Sequence, residues 1–339
     1  NRLQHYTQSN IMFKKTLLFI TTLLVALSTS TGYDVMDSLK GSVQVTTFLD
    51  WFHHAEKYVH ARGLLFLDVI PALFLIMMAI MFFKDGKKVK ALLTILALLL
   101  NLAGVFLDIQ YADPIASQMS NWTPENVPGD WISLKDEWMK YIGLNGLLGL
   151  VGWVCFLTTY FIPATKNAEG KQLPRFLRFL KNAVLFFLTF SFGLSATRLI
   201  GLYLFPTTFD ISGITFIEMH RPLDIAIRKA GPYVFVFISV LFGLLATLFF
   251  VEGSKRKGWL AVCAYIFLLA DTLIALQGNG PLNDLFLSWT PTTIPDNWAG
   301  FRDQWLRYHV YRDIFLFLMF STLFVIHVSP EGKEPVQAN

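Results

Sequence analysis

Four residues near the C-terminal end of the sequence combine side chains that can do chemistry with a regular spacing. They are Arg302, Trp305, His309 and Arg312, separated by three, four and three positions. This spacing places all four on one face of a helix. Charged side chains within an apolar segment usually face the interior of a helix bundle or water, which makes the four candidate catalytic residues. The alternative is that both arginines only reach lipid headgroups or pair with neighbouring aspartates.

A second polar group is centred on His220. Asp224 follows four positions later, so its carboxylate could hold the imidazole and fix its tautomer. Arg221, Asp224 and Arg228 share a different helical face, where a row of surface salt bridges is the simpler interpretation. His220 and Asp224 are therefore candidate substrate-binding residues.

A third group of polar residues predicts the rest of a binding site. Gln277 and Asn283 flank two glycines that permit a tight turn, and their amides offer uncharged hydrogen-bond donors and acceptors. Arg198 lies near the end of another apolar segment and adds a guanidinium. Together with His220 and Asp224, these three residues form a predicted ring of substrate-binding side chains.

Metal, nucleotide and haem chemistry have little support in the sequence. His53, Glu56 and His60 share a helical face, but the HExxH spacing and a matching carboxylate cluster are missing. No phosphate-binding glycine loop and no CxxCH motif occurs. The two cysteines, Cys155 and Cys263, lie in apolar segments and are typical of packing residues. We expect no metal and no cofactor, with haem as the alternative.

The candidate residues are carried by apolar segments long enough to cross a membrane. Hydrophobic residues make up 54% of the 339 residues and charged residues only 15%, well below the roughly 25% of soluble domains. Eight apolar runs approach the roughly 20 residues that span the hydrocarbon core. They lie near 13–32, 64–83, 90–108, 140–162, 182–204, 232–251, 258–277 and 308–328. The predicted fold is an all-α integral membrane protein with eight transmembrane helices.

The connectors between these segments predict the orientation. Lysine and arginine are concentrated before the first segment and in alternate connectors, near 84–90, 166–181 and 255–257. These connectors lie on one side if every segment crosses the membrane. The positive-inside rule then predicts cytoplasmic termini in a bacterial inner membrane. The basic clusters are typical of such topology signals, and we expect no nucleic-acid partner.

The sequence contains an internal repeat with an offset of 167 positions. The offset pairs Trp122 with Trp289 and Trp131 with Trp298 without a gap. Further pairs are Pro114 with Pro281, Pro124 with Pro291, Pro128 with Pro295, Trp138 with Trp305, and His53 with His220. Tryptophan and proline are rare, so the pattern indicates a duplication. Because each copy has an even number of segments, we predict two parallel four-helix bundles that form an internal pseudo-dimer.

The repeat also predicts the domain boundaries. Residues 1–11 precede Met12, which we take as the natural start, and are expected to form a tail outside the fold. The remaining parts are the first copy at 12–162, a cytoplasmic linker at 163–181, the second copy at 182–328 and a cytoplasmic tail at 329–339. The outer connectors 109–139 and 278–306 are rich in tryptophan and proline and predict a cap over each bundle.

The two copies differ at the candidate catalytic positions. The offset aligns Lys135, Trp138, Ile142 and Asn145 of the first copy with the four candidate residues of the second. Only the tryptophan is shared, and the histidine is replaced by an apolar side chain. The second copy is therefore predicted to carry the site, and the first to support it.

The second copy resembles the anthrone oxygenase-like family of small membrane proteins. The resemblance rests on PLNDLFLSW, PDNW and RDQWLRYHVYRD. In these stretches Asn283 precedes an Arg-x-x-Trp-x-x-x-His-x-x-Arg pattern, and His220 lies ahead of the second helix of the copy. The resemblance covers 182–328 well, and the first copy only through its Trp and Pro residues and His53. It implies a four-helix bundle and, for a few members, cofactor-free oxidation of a phenolic anthrone to a quinone.

This chemistry assigns roles to the candidate residues. His309 would be the base that removes a proton, Arg302 or Arg312 would stabilise the enolate, and Trp305 would stack on the ring. The expected ligand is an apolar aromatic or quinol-type small molecule that enters from the lipid bilayer. Two other classes stay open: a haem- or quinone-binding electron-transfer protein that uses His220 and His309, and a non-enzymatic membrane scaffold or transporter.

Overall fold

The computed structural model describes residues 2–39, 44–162, 173–206 and 210–329, which form helices and no strand. The helices are α1 (Arg2–Leu39), α2 (Val45–Gly63), α3 (Ile70–Lys84), α4 (Lys88–Leu107), α5 (Asp113–Met119), α6 (Trp131–Thr158), α7 (Arg175–Ala196), α8 (Arg198–Leu204), α9 (Gly213–Val251), α10 (Lys255–Ile274), α11 (Gly280–Ser288) and α12 (Trp298–Val328). Three π-helical segments continue α2, α4 and α10: π1 (Leu64–Val69), π2 (Asp108–Ala112) and π3 (Ala275–Asn279).

Three of the predicted boundaries concern the ends and the middle of the chain. The expected N-terminal tail is part of α1, which begins at Arg2. The linker is described only from residue 173 onwards, and residues 163–172 lie outside the described residues. The same holds for the predicted C-terminal tail from residue 330.

Within the described residues, eight helical stretches are long and apolar enough to cross a membrane. They are Asn10–Thr29, Leu64–Lys84, Lys88–Met119, Trp131–Thr158, Arg175–Leu204, Gly213–Val251, Lys255–Ser288 and Trp298–Val328. Only 17% to 44% of the most apolar part of each stretch is buried inside the protein. Most of that apolar surface therefore faces outward, as lipid requires. The lengths and compositions of these helical stretches confirm the predicted all-α class and the eight predicted membrane helices.

Two tight turns at one end of the molecule depend on glycine. Gly86 joins α3 to α4 with φ 71°, and Gly253 joins α9 to α10 with φ 86°. Side chains disfavour this left-handed region, whereas glycine adopts it at little cost. The two glycines are 167 positions apart.

An ion pair supports each of these turns. Lys14 Nζ of α1 lies 2.5 Å from Asp85 Oδ1, and Lys181 Nζ of α7 lies 2.6 Å from Glu252 Oε1. The lysine side chain is 34% exposed in the first pair and 9% exposed in the second. Each pair ties the first membrane helix of its half to the turn between the second and third.

The membrane helices pack into two hydrophobic clusters that share a seam. One cluster is built mainly from α7, α9, α10 and α12 around Phe242 and Phe320. The other is built from α1, α3, α4 and α6 around Trp153 and Phe156, which are fully buried. Phe19 of α1 packs into the first cluster with its ring centroid 5.8 Å from that of Phe320. Side chains of α7 pack against the second cluster in return, so α1 and α7 lie at the seam.

Helix α2 connects the two halves at the end opposite the glycine turns. The backbone N–H of Ser212 donates to Asp50 Oδ2 at 2.9 Å. The Tyr58 hydroxyl donates to Asp210, and this hydrogen bond lowers the pKa of the Asp210 carboxyl. Helix α2, which precedes the second membrane span, therefore joins the two halves through hydrogen bonds. Its many polar residues explain why a hydropathy pattern does not detect it.

The tryptophans of the outer connectors are packing residues. Trp122 and Trp289 are each 6% exposed and lie within separate aromatic clusters. In the first cluster Trp122 packs with Phe48 and Phe52. In the second, the ring centroids of Phe286 and Trp289 are 5.1 Å apart. These indoles therefore pack against the protein's own side chains.

Candidate functional site

The histidine of α9 lies on a membrane helix rather than ahead of one. α9 begins after Ser212, whose hydroxyl accepts a hydrogen bond from the Thr215 N–H and caps the helix. It then continues through two prolines as a single helix to Val251. The polar group around His220 is therefore presented by the same rigid element that crosses the membrane.

An aromatic column connects the two histidines of the second half. The rings of Trp305 and His309 have centroids 4.0 Å apart, and the ring of His220 lies 5.2 Å from Trp305. Phe216 and Phe286 lie 5.5 Å and 5.3 Å from the His220 ring. His220 thus contacts three aromatic rings. The Trp305 indole contacts both the His220 ring of α9 and the His309 ring of α12.

Asn283 of α11 fixes this indole. Its Oδ1 accepts a hydrogen bond from Trp305 Nε1 at 2.7 Å, and its Nδ2 donates to Asp224 Oδ1 at 2.8 Å. The other oxygen of Asp224 accepts from Arg228 Nε at 2.6 Å. Asp224 is 4% exposed, and the two donors satisfy its carboxylate. The carboxylate therefore orients Asn283, where the four-residue spacing had suggested that it holds His220.

Arg198 reaches His309 from the start of α8. Its Nη2 lies 3.3 Å from His309 Nδ1, and its Nε lies 3.9 Å from Asp313 Oδ1. Because a guanidinium only donates hydrogen bonds, Nδ1 is the acceptor, and we assign the proton of the neutral imidazole to Nε2. The side chain of Arg198 is 45% exposed and that of Asp313 only 3%. An accessible guanidinium thus lies between the imidazole and a buried carboxylate.

Arg312 pairs with an acidic residue that no motif singles out. Its Nε donates to Asp271 Oδ1 at 2.8 Å, and Asp271 is 7% exposed on α10. Arg312 is also close enough to His309 for its charge to act on the imidazole. The signal for Asp271 was a lone carboxylate in an apolar run, because such residues are costly in a membrane and are usually paired or functional.

Arg302 and Gln277 are placed differently from the other candidates. The Arg302 guanidinium lies over the Trp298 ring at 4.9 Å, with its Nη2 2.8 Å from Asp303 Oδ1. It is two helical turns from His309 along α12. Gln277 is exposed on π3. The residues that the structure brings together are therefore His220, Asp224, Asn283, Trp305, His309, Arg312 and Arg198.

The π-helical segment π3 brings a buried amide to α12. Asn279 is 2% exposed, and its Nδ2 donates to the carbonyl oxygen of Trp305 at 3.1 Å. Within the described residues its Oδ1 is buried and has no hydrogen-bond partner. The close approach requires glycine at the preceding position, since a Cβ on Gly278 would lie 2.5 Å from the Tyr308 ring. The glycines suggested a tight turn here, whereas the structure has one wide helical turn, a feature often found at functional positions.

The corresponding end of the first half carries acidic groups. Asn145 Nδ2 donates to Asp108 Oδ2 at 2.5 Å. Asp68 and Asp113 are close enough for their charges to act on Asp108. Among the described residues, no group of three or more His, Cys, Asp or Glu side chains is arranged to hold a metal ion. The trio of His53, Glu56 and His60, whose spacing gave little support for a metal site, is described only in part, because the His60 side chain lies outside the described residues.

The sequence matches no family model, and no curated protein or solved structure is similar to it. No family can therefore be assigned from these comparisons, and the protein is described by the class that its fold and its site define. The part of the chain that the structure describes is all-helical, and its eight long apolar helical stretches suit a multi-pass membrane protein. At one end of its second half, two histidines, two arginines and an indole meet in a hydrogen-bonded aromatic cluster.

Proposed function

We propose that the chain is a tandem duplication of a four-helix membrane unit with parallel copies. The support is structural correspondence at the offset of 167 positions. The π-helical segments π2 and π3 coincide under this offset, and so do Gly86 and Gly253. The same offset superimposes the ion pair of Lys14 on that of Lys181. Such detail in backbone and contacts extends the repeat beyond tryptophan and proline, and it favours caps formed by equivalent outer connectors.

The glycine turns and their ion pairs are proposed to face the cytoplasm of a bacterium. The basic connectors belong to this end of the molecule, and lysine and arginine are retained on the cytoplasmic side of inner-membrane proteins. The aromatic and histidine cluster of the second half then lies towards the outer leaflet. A ligand dissolved in the bilayer could approach it laterally.

We propose that the second half binds an apolar aromatic molecule of the phenol, quinol or anthrone type and oxidises it without a cofactor. The observation that carries this proposal is His309 itself. Its ring packs on Trp305 at 4.0 Å, and its Nδ1 faces the accessible guanidinium of Arg198 at 3.3 Å. A base, an aromatic surface and a cationic donor are thus adjacent, as deprotonation of a phenol or anthrone requires.

The contacts suggest how the proton would move. Nδ1 is the basic atom of His309, and it is occupied by Arg198. A neutral substrate that inserts between these two groups would give its proton to Nδ1, and the guanidinium, which keeps its place next to Asp313, would face the enolate oxygen. Dioxygen then oxidises the enolate. The overall reaction converts one anthrone and one dioxygen into one quinone and one water, so the second oxygen atom leaves as water.

The surroundings of His220 favour a cofactor-free site over a haem site. An axial ligand must leave one side of the imidazole open to a large planar macrocycle. Three aromatic rings lie within 5.5 Å of the His220 ring, and Arg198 faces Nδ1 of His309. His220 is therefore proposed to form part of the aromatic wall that receives the substrate.

The experiment begins with the protein purified in mild detergent and reconstituted in vesicles. Its absorption spectrum and metal content are recorded first, and anthrone is then supplied in air while quinone absorbance and oxygen uptake are followed. We expect a colourless protein that produces quinone with one dioxygen per anthrone, and we expect His309→Ala to abolish the reaction. A Soret band that disappears in His220→Ala or His309→Ala would instead make this a haem protein. Unchanged turnover in His309→Ala would remove the assigned base.

A further inference from the structure

Most of the positive charge around the aromatic cluster is compensated in ion pairs, whereas Arg221 donates to the carbonyl oxygens of Leu287 and Trp289. Each of four guanidiniums at this end lies next to a carboxylate: Arg312 by Asp271 at 2.8 Å, Arg228 by Asp224 at 2.6 Å, Arg302 by Asp303 at 2.8 Å and Arg198 by Asp313 at 3.9 Å. A site built to hold a carboxylate or phosphate keeps guanidiniums available for the ligand. The pairing here argues against an anionic ligand.

Three of these carboxylates, including Asp224, are deeply buried, and Asp271 and Asp313 are the two whose guanidinium partners lie close enough to act on His309. Asp271 is 7% exposed and Asp313 is 2% exposed. An anion that took over the guanidinium of Arg312 would leave Asp271 without its ion-pair partner, and one that took over Arg198 would remove the positive charge that lies 3.9 Å from Asp313. Breaking a buried ion pair in this way is strongly unfavourable. The two aspartates would therefore make the binding of an anion unfavourable, so that the site selects neutral ligands.

A separate observation concerns the hydrogen bond that a ligand would make. Asn279 Oδ1 is a buried acceptor without a partner among the described residues, and its amide nitrogen is held by the Trp305 carbonyl. An unpaired buried acceptor costs free energy until a donor reaches it. The equivalent position of the first half is Ala112, which has no polar side chain. The acceptor is thus specific to the half that carries the histidines.

We propose that Asp271, Asp313 and Asn279 set the ligand preference of this site. The ligand is uncharged and donates a hydrogen bond, as a phenolic hydroxyl does, and carboxylates and phosphates are rejected. Asp271 and Asp313 are positioning residues that act through Arg312 and Arg198, and Asn279 accepts from the ligand. This inference rests on the proposed function and adds to it the charge and the hydrogen-bonding character of the substrate.

Three naphthalene probes of nearly equal size separate these properties. 2-Naphthol is neutral and donates a hydrogen bond, 2-methoxynaphthalene is neutral and only accepts, and 2-naphthoate is an anion. Binding to the full-length protein in nanodiscs is measured by equilibrium dialysis at pH 7, with empty nanodiscs as the control for partition into lipid. We expect 2-naphthol to bind about tenfold or more tightly than either of the others, which corresponds to roughly 1.4 kcal/mol.

Variants assign the preference to the named residues. Asn279→Leu should reduce the advantage of 2-naphthol over 2-methoxynaphthalene to about twofold or less. Asp313→Asn and Asp271→Asn should raise the affinity for 2-naphthoate several-fold and leave that for 2-methoxynaphthalene unchanged. A general loss of structure would weaken the binding of all three probes together. A change in their relative affinities is therefore specific to the substituted residue. Asp108→Asn in the first half is the matched control and should change none of the ratios.

The outcomes also separate this inference from the proposed function. If the wild-type protein binds 2-naphthoate or 2-methoxynaphthalene as tightly as 2-naphthol, the inference is wrong while an aromatic-binding site remains. If no probe binds above the level of empty nanodiscs, the proposed function itself fails, and the inference fails with it.

Discussion

The ends of the two halves that lie opposite the glycine turns use one backbone arrangement for different polar chemistry. In the first half, Asn145 of α6 donates to Asp108, which lies among further aspartates. In the second half, the equivalent position is Arg312 of α12, which donates to Asp271 next to a histidine. Both contacts join the third and fourth membrane helices of a half. The helices and π-helical segments thus supply a common frame, and a few side chains decide what the frame does.

The carboxylate also differs in its position along the helix. Asp108 corresponds to Ala275, whereas Asp271 corresponds to Gly104, one helical turn earlier. A side chain at Gly104 would collide with Asn145, so the short asparagine occupies the space that Asp271 fills in the second half. Because Asp271 lies one turn earlier than the position of Asp108, the longer side chain of Arg312 has room to reach it. A local difference of this kind lets the first half carry an amide–carboxylate hydrogen bond and the second an ion pair at corresponding positions.

The largest expected difference between the halves concerns catalysis. His309→Ala should lower anthrone turnover by about a hundredfold or more, because a positioned general base contributes on the order of 10² to 10⁴. Ile142→Ala changes the equivalent position of the first half and should leave turnover within about twofold. Quinone formation by both variants in vesicles checks this. Equal losses would mean that the histidine acts only through packing.

The next effect is on stability. Arg312→Leu leaves Asp271 buried without its positive partner, which should cost about 3 kcal/mol of unfolding free energy or more. Asn145→Leu removes a single hydrogen bond to Asp108 and should cost roughly 1–3 kcal/mol. Thermal unfolding of the two variants in the same detergent gives the comparison. A larger loss for the first-half variant would contradict the assigned difference between a buried ion pair and a single hydrogen bond.

A smaller effect is expected at the shared tryptophan. Trp305→Phe loses the hydrogen bond to Asn283 and should weaken 2-naphthol binding about five- to tenfold, which is roughly 1 kcal/mol. Trp138→Phe is the matched change, because position 116 of the first half is an alanine that cannot accept this hydrogen bond. Its effect on binding should be negligible. Dialysis with 2-naphthol distinguishes the two variants, and equal weakening would remove the role given to Asn283.

The smallest effect concerns the ion pair at the glycine turn of the first half. The hydrogen bond from Lys14 lowers the pKa of Asp85 below its ordinary value of 3.8. The pair therefore stabilises the folded protein above about pH 4, and this contribution is lost as the carboxyl is protonated at lower pH. Lys14→Met should cost less than about 1 kcal/mol, because the lysine is one-third exposed. Melting curves should show a larger difference from wild type at pH 6 than at pH 3, and an equal difference at both values would exclude the ion pair as its cause.

The sequence predicts the membrane helices well because each is an uninterrupted apolar run. It predicts their ends less well where an amphipathic stretch continues the helix. The fourth span is expected at 140–162, yet α6 begins at Trp131, since the polar residues before the run remain helical. Helix α2 is missed for the same reason, because its alternation of polar and apolar residues does not resemble a membrane span.

The site is predicted where spacing along one helix defines it, and less well where contacts are long-range. Trp305, His309 and Arg312 follow from their positions on α12. Asp271 is 41 positions from its partner Arg312, and nothing local to either residue reveals the pair. Arg302 shares the predicted face but lies two helical turns from His309 along α12, and its guanidinium contacts Asp303 and the Trp298 ring.

The central claim is that the ligand site belongs to the second half alone. Photolabelling tests it most directly: a naphthol that carries a diazirine is bound to the full-length protein in nanodiscs, irradiated, and located by peptide mass spectrometry, with excess 2-naphthol as competitor. We predict competed labels on α9, α11 and α12 around His220, Asn283 and His309. Competed labels of equal yield around His53, Ala116 and Ile142 would show that both halves bind the ligand and would contradict the account.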